Sequence, residues 1–272
     1  MTINDAAPVC RTCAVQYPSG PIPRACIICE DERQWVPADG QQWTTLAELG
    51  DEGYAIDVRD LEPGLSGLGV TPHLGIGQRA CLVQTPAGNL LWDCVGFIDD
   101  AGIAAVRERG GLAGIAVSHP HFYGAIVEWS HVFGDAPLYL PSADREWVVR
   151  DDTEIRWWSD EIEPLPGVHL VQCGGHFDGS AVLAWEAGAD GRGALLVGDT
   201  ATVVLDRNVS FMRSYPNLIP LPAPTVREVA ARATRHPFDR VYGGWWDRVI
   251  DSDGPVAFAR SLERYTRWVQ SS

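Results

Sequence analysis

Short apolar runs bounded by Gly, Pro and Asn alternate along this chain with amphipathic stretches, the pattern of a mixed α/β protein. Residues 80–85 (Ala-Cys-Leu-Val-Gln-Thr), a Pro-Ala-Gly-Asn turn and residues 90–94 (Leu-Leu-Trp-Asp-Cys) read as a β-hairpin. Beyond it the pattern predicts a helix over 99–109, a strand over 114–118, a helix over 124–132, a strand over 138–140 and a helix over 142–149. Strands at 168–171, 180–185 and 194–197 then precede two helices. In the first, Thr225 and Glu228 form a predicted capping box, with Val226, Val229, Ala230 and Ala233 on one face. The last helix starts near Pro255 and is expected to turn Val256, Ala259, Leu262 and Val269 inward. Ahead of the hairpin, a short helix over 41–48 leads into a stretch rich in Gly and Pro. There is no internal repeat and no low-complexity tract.

Composition narrows the function classes. At 272 residues the chain is long enough for one large domain, or a main domain with a small appendage. Its 46% apolar content is that of an ordinary soluble globular protein, and no apolar run approaches the ~18 residues that span a bilayer. Residues 1–9 lack the positive and apolar segments of a secretory leader, so a cytoplasmic protein without a membrane partner is expected. A net charge of −15 argues against nucleic acid as a partner, because sequence-independent binding draws on Lys and Arg at phosphates. All 21 basic residues are Arg, which excludes Schiff-base chemistry and a phosphate-loop lysine. A small-molecule substrate is the expected partner, and composition leaves the oligomeric state open.

The first 40 residues carry their own chemistry. Cys10-x-x-Cys13 and Cys26-x-x-Cys29 are two knuckles whose thiolates suit a tetrahedral, structural zinc ion. Disulfides are the poorer use of these residues in a reducing compartment. Iron for electron transfer is the sharper alternative, but Ala14 and Glu30 follow the knuckles where rubredoxins commonly place Gly, and zinc is favoured. The segment resembles a rubredoxin-like zinc ribbon, and we place a boundary after residue 40, with a second unit over 41–272. Cys81 and Cys94 read as buried thiols, whereas Cys173, three residues before His176, is a candidate to face a site there.

The second constellation is Ser118-His119-Pro120-His121-Phe122-Tyr123-Gly124. Pro120 pushes His119 toward an extended conformation, in which side chains two apart share a side, so both imidazoles can face one ion. Gly174-Gly175-His176 and Gly198-Asp199-Thr200 each follow an apolar run. In order and context these stretches resemble the His-x-His-x-Asp-His motif, the third His and the Gly-Asp of the metallo-β-lactamase superfamily. The hairpin ending in Asp93 resembles the opening of the same fold, so the expected architecture from about residue 68 onward is a four-layer αββα sandwich.

The resemblance implies that His119, His121 and His176 hold one ion, with Asp199 as a further ligand or as a base. It also exposes departures. Tyr123 and Gly124 stand where the motif has Asp and His, and the late His position falls in Val241-Tyr-Gly-Gly-Trp-Trp246. A second ion would keep only Asp199. The resemblance thus points to a mononuclear zinc hydrolase of small esters, lactones, amides or thioesters, with Asp199 and Tyr123 as candidate catalytic groups. Iron(II) is the alternative ion, since two His and a carboxylate also suit an iron oxygenase. A non-catalytic binding protein is the third reading. Arg213 and Tyr215 are candidates for the mouth of the cleft, Asp178, Asp247 and Arg248 are candidate acid, base or anion-binding groups, and Trp245-Trp246 is either an aromatic wall or packing.

Overall fold

Alternation along the strands sorts the apolar side chains into three separate layers. In the computed structural model, which describes residues 3–270, Leu90 and Trp92 of one strand face one layer and Leu91 the other. The first sheet contains β1 (Ala55–Glu62), β2 (Leu65–Thr71), β3 (Ala80–Thr85), β4 (Gly88–Trp92), β5 (Gly114–Ala116), β6 (Leu138–Pro141) and β7 (Ile155–Trp158), in that order. Pairing is antiparallel from β1 to β4 and parallel from β4 to β7. The second sheet contains β8 (Glu161–Leu165), β9 (Val168–Gln172), β10 (Ala181–Trp185), β11 (Ala194–Gly198), β12 (Arg240–Gly243) and β13 (Val249–Ile250). Only its β11–β12 pair is parallel.

The central layer joins the two sheets: Val83, Leu90 and Trp92 meet Val168, Leu183, Leu196 and Tyr242. On the outer face of the first sheet lie α1 (Leu46–Asp51), α2 (Asp100–Glu108) and α3 (Ile126–Val132), which contribute Leu49, Ile103, Val106 and Trp129. On the outer face of the second lie α4 (Ala223–Ala233) and α5 (Gly254–Gln270), with Val226, Val229 and Phe258. This is the αββα order expected from the sequence. Among the described residues no helix is long and apolar enough to cross a membrane.

Several local expectations are corrected. β1 and β2 pair where the sequence reads as a Gly- and Pro-rich approach. Gly67 and Gly69 are there because the Trp246 ring lies flat across them, and a Cβ at either would sit 2.6 or 2.8 Å from it. The first short helix starts later than expected, at Leu46, behind a capping box of Thr45 and Glu48. Thr225 and Glu228 form no box, because α4 begins at Ala223 behind Pro222 and both lie inside the helix. Residues 142–147 form a 3-10 turn, not an α-helix. α5 buries Phe258, Ser261 and Thr266 and leaves Val256 exposed, so its inward face is rotated from the one expected. Ser261 can face inward because its hydroxyl donates to the Ala257 carbonyl and accepts from Val209 N.

The ribbon has no core of its own. Val9, Val15, Tyr17 and Ile28 belong to the same layer as Leu74, Val95, Phe97 and Leu138. Ala14 fits against Gly75 and Gly96, where a Cβ would come within 2.9 and 2.3 Å of its own. Gln16 N donates to the Gly124 carbonyl at 3.1 Å, fixing the ribbon to the loop that follows His121.

Candidate metal centre

The loops that leave β4, β5, β9 and β11 converge at one edge of the sandwich. Asp93, just past β4 at φ 63°, accepts from Ser118 N at 2.7 Å and so aligns the loop after β5. Pro120 holds His119 extended (φ −174°, ψ 170°) as anticipated. Ser118 Oγ lies 2.9 Å from His119 Nδ1, which orients the ring and leaves Nε2 buried without a hydrogen-bond partner among the described residues. His176 Nδ1 lies 3.2 Å from the Met212 carbonyl; since a carbonyl only accepts, Nδ1 carries the proton and Nε2 presents its lone pair. That Nε2 is 3.2 Å from His121 Nδ1, and His119 Nε2 is 3.8 Å from Asp199 Oδ2. One ligand atom from each of His119, His121, His176 and Asp199 thus lies within 4.8 Å of all the others.

This geometry suits a metal ion. Bonds of about 2.0–2.1 Å in a tetrahedron put neighbouring ligand atoms about 3.4 Å apart, close to the 3.2 Å between the two imidazole nitrogens. His119 Nε2 and Asp199 Oδ1 are buried with no hydrogen-bond partner among the described residues, a costly state that a cation relieves. Burial pushes His119 and His121 well below the ordinary imidazole value and His176 down to about 3, so all three are neutral, as ligands must be. Burial, and then the neighbouring Asp93, pushes Asp199 up to about 8. Asp93 itself is raised to about 7 by burial. Two buried carboxyl groups beside three imidazoles make an environment that a cation would stabilise.

The four ribbon cysteines form a second such group, all buried and within 4.8 Å of one another. Cys10 and Cys29 Sγ are 3.6 Å apart, as are Cys13 and Cys26 Sγ. A disulfide would need about 2.05 Å, whereas Zn–S bonds of about 2.3 Å place sulfurs about 3.8 Å apart. Gln41 Nε2 donates to Cys10 Sγ at 3.1 Å and Tyr17 OH to Cys26 Sγ at 3.3 Å, which favours thiolates. The set fits a structural ion.

The other candidate residues are dispersed. Tyr123 packs in the apolar layer beside Val15, Ile126, Leu138 and Leu140, and its buried hydroxyl has no hydrogen-bond partner among the described residues. It makes no hydrogen bond or ring contact to the histidines. Gly124 has φ 51°, and a Cβ there would lie 2.4 Å from the Val95 carbonyl oxygen, so no His fits at that position. Trp246 packs on β2, with the Arg59 guanidinium 4.2 Å from its ring centroid. Trp245 instead lines a cleft of about 690 Å³ together with Asp199, Val203, Tyr215, Asp247 and Arg248. Of the two Trp, one is therefore wall and the other packing. Tyr215 OH donates to the Asp199 carbonyl at 3.0 Å. Arg213 is turned away to Glu32 of the ribbon. Asp178 is exposed, and Cys173 is a buried thiol donating to the Val171 carbonyl.

Sequence reasoning missed Arg33 and Phe177. Phe177 sets its ring 4.9–5.7 Å from all three imidazole centroids, and the Arg33 guanidinium stacks 4.3 Å from that ring on behalf of the ribbon. Nothing in the spacing around Arg33 signals a partner 143 residues away.

Comparison with known proteins agrees with this architecture. The uncharacterized protein YmaE of Bacillus subtilis (strain 168) is 43% identical over 267 residues, covering 97% of each chain. No protein-family model matches. Among solved structures, a B3 metallo-β-lactamase with an active-site glutamic acid aligns over 84% of this chain and 97% of its own, with a TM-score of 0.52 at 14% identity. DIM-1 metallo-β-lactamase aligns over 79% of this chain and 97% of its own, with a TM-score of 0.56 at 12% identity. Identities this low speak for the fold alone.

Proposed function

Since this chain belongs, with Bacillus subtilis YmaE, to one family and has the metallo-β-lactamase fold, we propose that it is a metal-dependent hydrolase working with one zinc ion. Its substrates on this reading are small esters, lactones, amides or thioesters. The observation that carries the proposal is the convergence of His119, His121, His176 and Asp199 within 4.8 Å, with Asp199 also lining a cleft large enough for a small molecule. When bound, the ion supplies Lewis-acid polarisation of a carbonyl and an activated water at neutral pH. A third imidazole favours zinc over the two-His, one-carboxylate set of an iron oxygenase.

The chain's own residues divide the remaining work. Asp199 is the member of the four that also lines the cleft, so its carboxyl group is the one of this set to accept a proton as a scissile bond opens. Tyr215, by donating to the Asp199 carbonyl, fixes the backbone from which that carboxyl projects. Trp245 offers a flat apolar surface, held by its Nε1–H on the Ile76 carbonyl at 3.0 Å, for the acyl portion of a substrate. Tyr123, buried away from the cleft, takes no part.

The test is metal content per chain by mass spectrometry, paired with hydrolysis of aryl esters and lactones. Wild type is expected to hold two ions, and the His119→Ala/His121→Ala variant one, with hydrolysis lost. One ion in both proteins would overturn the proposal and leave a non-catalytic binding protein. Iron in the cleft with iron-dependent consumption of dioxygen would replace hydrolase by oxygenase.

A further inference from the structure

Arg33 sits four residues past Cys29 and is almost fully buried, although it carries a charge. Its Nε donates to the His176 carbonyl at 2.6 Å, and its guanidinium covers Phe177, the ring that backs all three imidazoles. Its own carbonyl accepts from Ser214 Oγ at 3.1 Å. Ser214 belongs to the strand Met212–Ser214, whose Met212 carbonyl holds the His176 ring. One ribbon residue therefore grips His176 from two directions, through the backbone of His176 itself and through the strand that orients its imidazole. Asn217 brackets the same arm, donating to the carbonyls of Glu32 at 2.9 Å and Gln34 at 2.8 Å.

The position of this arm depends on the thiolate cluster. Between Cys29 and Arg33 there is only the end of one helical turn, Ile27–Glu30, and the Asp31 carboxylate that pairs with Arg33 Nη1 at 2.7 Å. A segment this short, with no separate core, does not hold its shape once four buried thiols lose their ion. Unfolding of the turn would withdraw Arg33, release the His176 carbonyl and uncover Phe177. Partners that orient metal ligands typically contribute a factor of roughly 10–100 in affinity.

We propose that the ribbon is a metal-dependent clamp on the cleft, in which Arg33 is the positioning residue for His176 and the thiolate-bound ion controls how tightly the cleft retains its own. This rests on the reading that the cleft binds an ion. The simpler alternative makes Arg33 mere glue between ribbon and sandwich. The two differ in one observable, because glue affects overall stability without selectively loosening the cleft ion.

The experiment uses the full chain loaded with Co2+, whose thiolate charge-transfer absorption reports the ribbon and whose weaker visible bands report the cleft. Release from each site to a chelator is followed in wild type, Arg33→Ala, Arg33→Lys and Asn217→Ala. The clamp predicts that Arg33→Ala loses the cleft ion roughly 10–100-fold faster while the ribbon spectrum persists. Arg33→Lys, which keeps the charge without the fork, should lie between. Asn217→Ala, which loosens the arm without touching His176, should stay within a few-fold of wild type. In wild type, displacing the ribbon ion with a mercurial thiol reagent should discharge the cleft as well, a readout that needs no variant to fold. Two ions that leave independently, or unchanged cleft release in Arg33→Ala, would overturn the clamp alone. A wild type that takes up one ion with a purely thiolate spectrum would overturn both the clamp and the hydrolase reading.

Discussion

Replacing Gly124 by Ala tests why the motif resembling His-x-His-x-Asp-His ends here in glycine. The residue sits at φ 51°, and an added Cβ would lie 2.4 Å from the Val95 carbonyl oxygen, 2.5 Å from its carbon and 3.0 Å from Gly96 N. All three are backbone atoms of a segment also held by Ala125 N on the Val95 carbonyl at 2.9 Å, so nothing nearby can swing aside. The left-handed conformation costs an L-residue about 1–2 kcal/mol, and forcing apart packed backbone adds about 1–3 kcal/mol. The expected loss is therefore about 2–5 kcal/mol, which for a chain of this size lowers Tm by about 5–15 °C. Gly134→Ala is the control, since Gly134 has φ 76° with nothing within 4 Å of the added Cβ, and it should show the conformational cost alone. Urea unfolding of the metal-loaded proteins, followed by tryptophan fluorescence at unchanged m, separates the two. Equal losses for Gly124→Ala and Gly134→Ala would refute the steric account, and a histidine at 124 would then have been possible.

Three further outcomes are expected. Ser118→Ala removes the partner of His119 Nδ1, 2.9 Å away, and should weaken the cleft's hold on metal roughly 10–100-fold in chelator competition; unaltered affinity would show that the ring is oriented by packing alone. Glu128→Ala strips Arg150 of a buried partner at 2.6 Å and Asn4 N of one at 2.8 Å, and should cost about 3 kcal/mol in denaturant unfolding, against less than about 1 kcal/mol if Asp152 alone neutralises the guanidinium. Asp144, raised to about 7 chiefly by burial, keeps its proton in the folded state after the unfolded chain has lost its own. Its contribution is therefore complete below about pH 4 and lost as pH rises toward 7. Asp144→Asn, which keeps the acceptor for Gly179 N, should lack that decline and become the more stable protein by pH 8; parallel stability curves for the two would contradict this.

What was legible in the sequence is what short-range physics writes there. Leu90, Leu91 and Trp92 alternate because their strand is packed on both sides, and the His119–Pro120–His121 geometry follows from the clash of a proline ring with its predecessor. The ligand set gathered because each member follows a strand that ends at the same edge. What was not legible depends on distant partners. Gly67 and Gly69 look like loop glycines until Trp246 lies across them, and Arg33 looks like a surface residue until its Nε meets a carbonyl 143 positions away. Thr225 and Glu228 carry a local signal that Pro222 overrode by starting the helix earlier. The inward face of α5 was misread because Ser261 and Thr266 return their hydroxyls to the helix's own carbonyls and so can be buried.

The missing ligands and the added ribbon are best understood together. At Gly124 the carbonyl accepts from Gln16 of the ribbon, and the backbone of Val95 and Gly96 occupies the space a side chain would need. Tyr123 has turned into the layer that Val15 helps to fill, and Ala14 rests on Gly96. Each departure from the His-x-His-x-Asp-His pattern on this loop thus coincides with a contact to residues 14–16, and Arg33, from the same ribbon, donates to the His176 carbonyl. Had the ligands drifted away without replacement, the vacated region would hold loosely packed polar side chains. Instead it holds Gly124 in a left-handed conformation and Gly96 against Ala14, both under backbone contacts too close for any side chain. Under the proposed one-ion reading, the ribbon braces the loop on which Tyr123 and Gly124 offer no second set of ligands, and removing the ribbon is expected to loosen the remaining site without recreating the other.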